Sequence, residues 1–358
     1  VVLYRGIFKE ISMKKSLIAL AVLGSVAGFA QAQSTVTLYG LVDVYAGRTK
    51  AGAAGAEVST TVLNSGGLAS SRFGLQGAED LGGGLKAIFK LEQGFDASNG
   101  TANTYTAPGA ATASSTSFNR QAWVGLEGGF GTVQFGNVWS AFDDVFYIGN
   151  SVFDSFVFAP GAANYSLRNS EAVLSNYNYN DKPRNAIRYT SPNFGGFSAA
   201  VSHGLDESST TSTDQTDFNI QYSGGPLTAA LAYQVQNDAN GVGSDDKYTY
   251  FGAAYDLGVV VVKGGLGTTR NVYDTKTNDY QLGVDFPLSS ALTLSTGFAS
   301  SKDKGARDTK RTGFAVGATY AVSKRTMAYA AFNKSKAEET GFADNKFSFI
   351  GVGLQHKF

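Results

Sequence analysis

The chain has 358 residues with 44 Gly, 6 Pro, 13% aromatic side chains and no Cys, a composition that suits many short strands and tight turns. Mean hydropathy is −0.10, and beyond the N-terminal region no stretch approaches the ~20 apolar residues of a membrane-spanning helix, which excludes a helical membrane protein. With no Cys there are no disulfides, thiol nucleophiles or Cys-based zinc sites, and 29 basic against 29 acidic side chains leave no excess for general nucleic-acid binding.

The first element is a leader. Met13-Lys14-Lys15 is a basic start, Ser16 to Ala30 is a short apolar run, and Ala30-Gln31-Ala32 is an A-x-A cleavage site. The expected divisions are therefore 1–12, read as upstream DNA translated by mistake, 13–32, a signal peptide, and 33–358, the mature domain beginning at Gln33. Removing the first 32 residues takes away Arg5, Lys9, Lys14 and Lys15 against Glu10, so the mature chain is mildly acidic.

After Gln33 the sequence breaks into segments of period-2 alternation. In the first, Val36, Leu38, Gly40, Val42 and Val44 share one face and Thr37, Tyr39, Asp43 and Tyr45 the other. Similar segments fall at about 68–80, 84–97, 117–128, 130–138, 184–191, 195–206, 215–223, 226–236, 246–256, 258–270, 277–286, 290–301, 309–321, 324–335 and 346–358. Short connections such as Asp80-Leu81-Gly82-Gly83-Gly84, Gly128-Gly129 and Ser223-Gly224-Gly225-Pro226 alternate with long ones at 47–67, 97–117, 138–183 and 206–214. That asymmetry and an even strand count predict an all-β fold, a 16-stranded antiparallel transmembrane β-barrel in an outer membrane. Sixteen tilted strands enclose an aqueous channel, whereas eight are filled by side chains. A soluble β-sandwich would turn its apolar strand faces against a second sheet. The last segment argues against it, because Ile350, Val352, Leu354, His356 and Phe358 share one face and end on an aromatic carboxyl-terminal residue, which suits a ring at the membrane interface.

The connection at 138–183 is far longer than a hairpin needs and carries Phe142, Phe146, Tyr147, Phe153, Phe156 and Phe158 together with Asp143, Asp144, Asp154 and Glu171. Folded against the barrel wall, its rings are buried and its carboxylates face the channel. On the wall, phase opposite Phe73 and Leu75 turns Arg72 inward, phase opposite Ile187 and Tyr189 does the same for Arg184 and Arg188, and Lys86 and Lys90 alternate with Ala87, Phe89 and Leu91. Arg120 is in phase with Val124 and Leu126 and needs a bulge or a position above the lipid band to reach the lumen.

The chain resembles the general porins of Gram-negative β-proteobacteria, of the neisserial and Burkholderiales type. The resemblance covers the mature chain and rests on Val36-Thr37-Leu38-Tyr39-Gly40, Ser71-Arg72-Phe73-Gly74-Leu75, Glu79-Asp80-Leu81-Gly82-Gly83-Gly84, Asn119-Arg120-Gln121-Ala122-Trp123 and Arg188-Tyr189-Thr190-Ser191-Pro192-Asn193-Phe194-Gly195-Gly196-Phe197. It continues in Ser323-Lys324-Arg325-Thr326 and Gly351-Val352-Gly353-Leu354-Gln355-His356-Lys357-Phe358. It implies a homotrimer in outer-membrane lipid and lipopolysaccharide, a third loop folded into the lumen, a facing arginine cluster at Arg72, Arg120 and Arg184, and Phe358 as the signal read by the barrel-assembly machinery. Asn137 stands where the family often carries Arg, which predicts a weaker cluster. The implied function is passive diffusion of ions and small hydrophilic solutes with weak to moderate anion preference. No cofactor or metal is called for, and with only His203 and His356, and no phosphate-binding or H-E-x-x-H motif, the chain is not expected to be an enzyme. A substrate-specific outer-membrane channel is the competing reading, recognisable by saturable block of conductance by its ligand.

Overall fold

The structure is a computed structural model that describes residues 35–102, 104–105, 114–115, 117–162, 172–205, 214–237, 243–305 and 308–358. The leader divisions and Glu171 lie outside these residues. Sixteen wall strands run in sequence order: β1 (Thr35–Ala53), β2 (Val58–Ser65 continuing as Arg72–Gly82), β3 (Leu85–Gly94), β4 (Gln121–Gly128), β5 (Gly131–Asn137), β6 (Ala186–Thr190), β7 (Phe197–Gly204) and β8 (Gln215–Gly224). The second half comprises β9 (Leu227–Gln236), β10 (Asp246–Asp256), β11 (Val261–Arg270), β12 (Lys276–Pro287), β13 (Leu292–Lys304), β14 (Lys310–Ala321), β15 (Thr326–Glu338) and β16 (Asn345–Lys357). Each strand pairs antiparallel with the next, and β1 closes on β16 from Leu41↔Lys357 to Ala53↔Asn345. Closure removes the sheet edges that lipid could not satisfy.

The side-chain pattern is inverted relative to a soluble protein. Leu38, Ile220, Leu282, Phe314 and Ile350 are exposed on the outside, while Gln121, Asp217, Gln234, Asp279, Gln281 and Asn333 are buried on the inside. Among the described residues no helix is long and apolar enough to cross a membrane. At the predicted turn Gly82-Gly83-Gly84, all three residues have positive φ (85°, 63° and 81°), which a side chain would oppose.

Several boundaries differ from the sequence expectation. The connection expected at 47–67 is largely a hairpin, because β1 continues to Ala53 and pairs with Val58–Ser65 from Val44↔Ser65 to Ala51↔Val58. Its alternation is masked because Arg48 and Lys50 replace apolar residues on the outward face of this extension. The strand expected from 117 begins at Gln121, and the one expected from 184 begins at Ala186. The break within β2 is stitched by Asp43, which is fully buried and accepts hydrogen bonds from the Gly67, Leu68 and Ala69 amides at 2.9–3.0 Å, from Tyr329 Oη at 2.5 Å and from Gln355 Nε2 at 3.1 Å. Five donors compensate a carboxylate that would otherwise be costly to bury.

Candidate functional site

The described residues of the segment that leaves β5 after Asn137 and returns at β6 pack on the inner face of the wall. The Ala141 and Phe142 amides donate to Asp217 on β8, and Asn180 pairs its backbone N–H and C=O with the Gln234 side chain of β9 at 2.9 and 3.0 Å. Farther round, Gln281 on β12 donates to Asn150 Oδ1 at 2.7 Å, Val152 N donates to Ser295 Oγ on β13 at 2.7 Å, and Asn333 Nδ2 on β15 donates to Val157 O at 3.2 Å. On the return, Asp279 accepts from the Asn176 amide and side chain, both at 2.8 Å. These hydrogen bonds run along the wall from β8 to β15.

Its aromatic residues explain why it stays there. Phe142 and Phe146 lie with Tyr179, Tyr248 and Tyr250, and Phe158 stacks with Phe349 at 5.1 Å between Tyr45 and Tyr329. Fully buried Phe142, Phe146 and Phe158 contribute roughly 1.5–3 kcal/mol each relative to exposure. Close approach requires small wall residues: a Cβ on Gly313 would overlap the Pro160 carbonyl oxygen, and one on Gly297 would overlap Ser151. A four-residue helix, α1 (Asp143–Phe146), turns the chain at the start of this path.

Beside the contacts of Phe158 with Tyr45 of β1 and of the Ser155 hydroxyl with Gly67 O in the break of β2, the wall of β1 to β4 carries long polar side chains. Glu92 on β3 receives Tyr39 Oη at 2.9 Å and Arg120 Nε at 2.8 Å, and lies 3.4 Å from Arg72 Nε. Lys90, two residues earlier on the same face, stands over the Tyr39 ring at 5.3 Å. Arg120 and Lys182 both lie over the Trp139 indole, at 5.1 and 4.3 Å, and Lys182 is paired with Asp181. Nearer the short turns, Lys86 pairs with Glu127 at 3.2 Å.

A closed sixteen-strand wall, apolar outside and polar inside, is a membrane channel by construction, and residues 19–340 match the family model described as Gram-negative porin. The chain belongs to that family. It is 34% identical to outer membrane porin protein 32 of Delftia acidovorans, over 97% of this chain and all of that one. It is 28% identical to the major outer membrane protein P.IB of Neisseria meningitidis over the same shares. Among solved structures, the anion-selective porin from Comamonas acidovorans superposes with a TM-score of 0.74 at 27% identity, covering 91% of this chain and all of that one. The protein is therefore an outer-membrane β-barrel channel.

Within this porin the sequence-predicted residues divide into three groups. Arg72, Arg120 and Lys90 converge around Glu92, as strand phase predicts for Arg72 and Lys90. Arg120 reaches the lumen because it precedes β4: Phe118 has a φ of 53°, which breaks the alternation, and the Arg120 N–H donates to Glu92 O at 3.2 Å. Arg188 faces inward but acts as a clamp. It binds Asp144 at 2.5 Å and the Trp139 and Ser140 carbonyls at 2.8 and 3.3 Å, at the root of the loop. Arg184 sits two residues before β6, where the loop re-enters the wall, and Asn137 donates to Phe118 O at 3.4 Å.

Of the described loop carboxylates, Asp143 and Asp154 do not stand on an open acidic rim. Asp143 is buried, accepts from Tyr147 and Tyr179, and is pushed up to about 7 first by burial and then by the Asp181 carboxylate. Asp154 accepts from Asn150 Nδ2 at 2.6 Å, and burial raises it well above the usual carboxylate range. Aromatic packing turns these acids into the seam between loop and wall. Residues not singled out in the sequence are Glu92, Trp139 and Lys182. Glu92 shares its phase with Lys86 and Lys90 and was legible; Trp139 and Lys182 lie at the two ends of the loop, and only folding brings them together.

Proposed function

We propose that the porin conducts ions and small hydrophilic solutes by passive diffusion with a preference for anions, through a lumen narrowed by the segment at 138–185. The observation that carries this reading is the unequal charge of the β1 to β4 wall: Arg72, Arg120 and Lys90 share the single carboxylate Glu92. Guanidinium charge persists across physiological pH, and fixed cations in a narrow aqueous passage lower the barrier for anions relative to cations. The solved relative whose name calls it anion-selective supports the sign. Glu92 offsets part of the cluster's charge, which keeps the anion preference weak to moderate, while pairing of Asp144 with Arg188 and burial of Asp143 keep the loop acids from reversing it.

The porin works as a homotrimer in outer-membrane lipid and lipopolysaccharide, carries out no chemistry on its solutes, and matures by cleavage after Ala32. Phe358 is the residue by which the assembly machinery recognises the barrel. Its backbone N–H and C=O pair with those of Gly40 at 3.0 and 3.1 Å, so assembly ends on the barrel-closing ladder. The deciding experiment is a planar-bilayer reversal-potential measurement across a salt gradient. Wild type is expected to favour chloride over potassium and Arg72→Glu to move the reversal potential toward cation selectivity; an unchanged potential sinks the assignment. Saturable block by one solute class would favour a substrate-specific channel instead.

A further inference from the structure

The loop buries its large rings against the wall with one exception. Phe142, Phe146 and Phe158 are fully buried, whereas Phe156 is 39% exposed, the one large apolar side chain left open to water among the described residues of the loop. A single exposed apolar residue is ordinary on an outer surface. Here the residue belongs to a segment that lies on the inner face of a barrel, so its free side is turned to the aqueous passage.

The position of this ring is fixed from several sides. The Ser155 hydroxyl donates to Gly67 O and accepts from the Val157 and Phe158 amides at 3.0 and 2.8 Å, which pins the backbone around Phe156. The ring meets Tyr147 and Tyr177 edge-on, with centroids 6.4 and 5.9 Å away. Those two rings are anchored in turn: Tyr147 Oη donates to Asp143 at 2.8 Å, and Tyr177 Oη accepts from Asn150 Nδ2 at 3.2 Å. Phe156 is thus exposed and held still, the combination that lets an aromatic side chain take a ligand at low entropic cost.

The neighbouring wall is cationic. Gly67 lies in the break of β2 that ends at Arg72, and Tyr147 stands within electrostatic reach of Arg72. Arg120 and Lys90 join Arg72 around Glu92, and among the described residues Lys90 has no carboxylate at ion-pair distance. The passage therefore offers an aromatic surface on the loop and surplus positive charge on the wall. A halide uses only the charge, and a neutral aromatic only the ring. We propose that the constriction favours arylcarboxylates, small anions in which a flat aromatic ring carries the charge, and that Phe156 distinguishes them from aliphatic carboxylates of the same size. The carboxylate meets guanidinium N–H groups of Arg72 or Arg120, while the ring lies against Phe156 and Tyr147 in the offset or edge-on arrangements that aromatic pairs prefer. Guanidinium planes also stack on such a ring. A contact of this kind is shallow, so it eases entry without holding the solute in the channel. The inference rests on the channel reading and names the solute class that its basic wall serves.

The test uses the full-length porin in planar bilayers at neutral pH, with potassium chloride on one side and potassium benzoate or potassium cyclohexanecarboxylate on the other. Both organic anions are ionised and have the same number of carbons, but only benzoate has a π face. From the reversal potentials, wild type is expected to pass benzoate about threefold more readily than cyclohexanecarboxylate. Phe156→Leu is expected to bring that ratio down to about one, and Phe156→Tyr, which keeps the ring, to retain it. A ratio near unity in wild type, a ratio that survives in Phe156→Leu and so reflects sieving by thickness, or its loss in Phe156→Tyr overturns the proposal. Chloride against potassium selectivity, measured on wild type in the same membranes, reports on the channel reading separately, because the ratio compares two anions of equal charge.

Discussion

The inner wall has two halves built on opposite principles. From β8 to β15 it presents small or amide-bearing residues such as Gly297, Gly313, Ser295, Gln234 and Asn333, and the loop lies on it through hydrogen bonds and buried rings. From β1 to β4 it presents Tyr39, Arg72, Lys90 and Glu92 on the strands with Arg120 at the foot of β4, where the charges pair with one another and Arg120 also meets the Trp139 indole of the loop. The covered half offers small side chains and amides with which loop backbone can pair, and the other half offers charges already paired among themselves. The covered half supplies shape and the charged half supplies field.

The largest test of that division is Arg188→Ala. The change leaves Asp144 with only Asn219 at 3.0 Å and strips donors from two loop carbonyls, at a cost of about 3 kcal/mol to loop docking. Larger open-channel conductance, more current noise and faster proteolysis within 138–185 are expected; behaviour like wild type would mean that the loop is held by its rings alone. Next is Gly313→Val, which drives a branched side chain into the Pro160 carbonyl and costs about 1–3 kcal/mol. Its conductance should rise without a change of ion preference, because the charged wall is untouched.

A smaller effect is expected from pH. Asp143 is raised to about 7 in the folded loop by burial and by Asp181, while an exposed Asp titrates near ~3.9. The folded state therefore holds the proton more tightly, so the contribution to docking is fully present below ~4 and is lost as pH rises through about 7. The groups facing Asp143 are Tyr147, Tyr179, Asp181 and Lys182, with the Ser140 hydroxyl accepting from its amide. Loop proteolysis should accelerate between pH 5 and pH 8, and Asp143→Asn should flatten that dependence; a slope that survives the substitution assigns the titration elsewhere. Smallest is Glu92→Gln, which removes the one acid among Arg72, Arg120 and Lys90 and should strengthen anion preference modestly in reversal potentials, opposite in sign to Arg72→Glu.

Strand phase alone made half of the site legible. Arg72 and Lys90 could be turned inward from their neighbours Phe73 and Phe89, and the same rule applied to Glu92 predicts its place in the cluster. Phase failed at Arg120, where one left-handed residue, Phe118, resets the alternation before β4. It also failed beyond Gly47, where strands extend past the lipid band and polar side chains replace the apolar ones that mark the outward face.

The sequence by itself determined a sixteen-strand barrel with polar interior and apolar exterior, because a period of two in a medium without water leaves each residue only two directions. Tertiary structure alone decided what the acids and the loop do. Asp143 and Asp154 read as channel carboxylates along the chain, yet the rings of Phe142, Phe146 and Tyr179 pull them into the seam, and Trp139 meets Arg120 and Lys182 only when the loop closes. A loop has no period, so the direction of its side chains is set by the wall it meets.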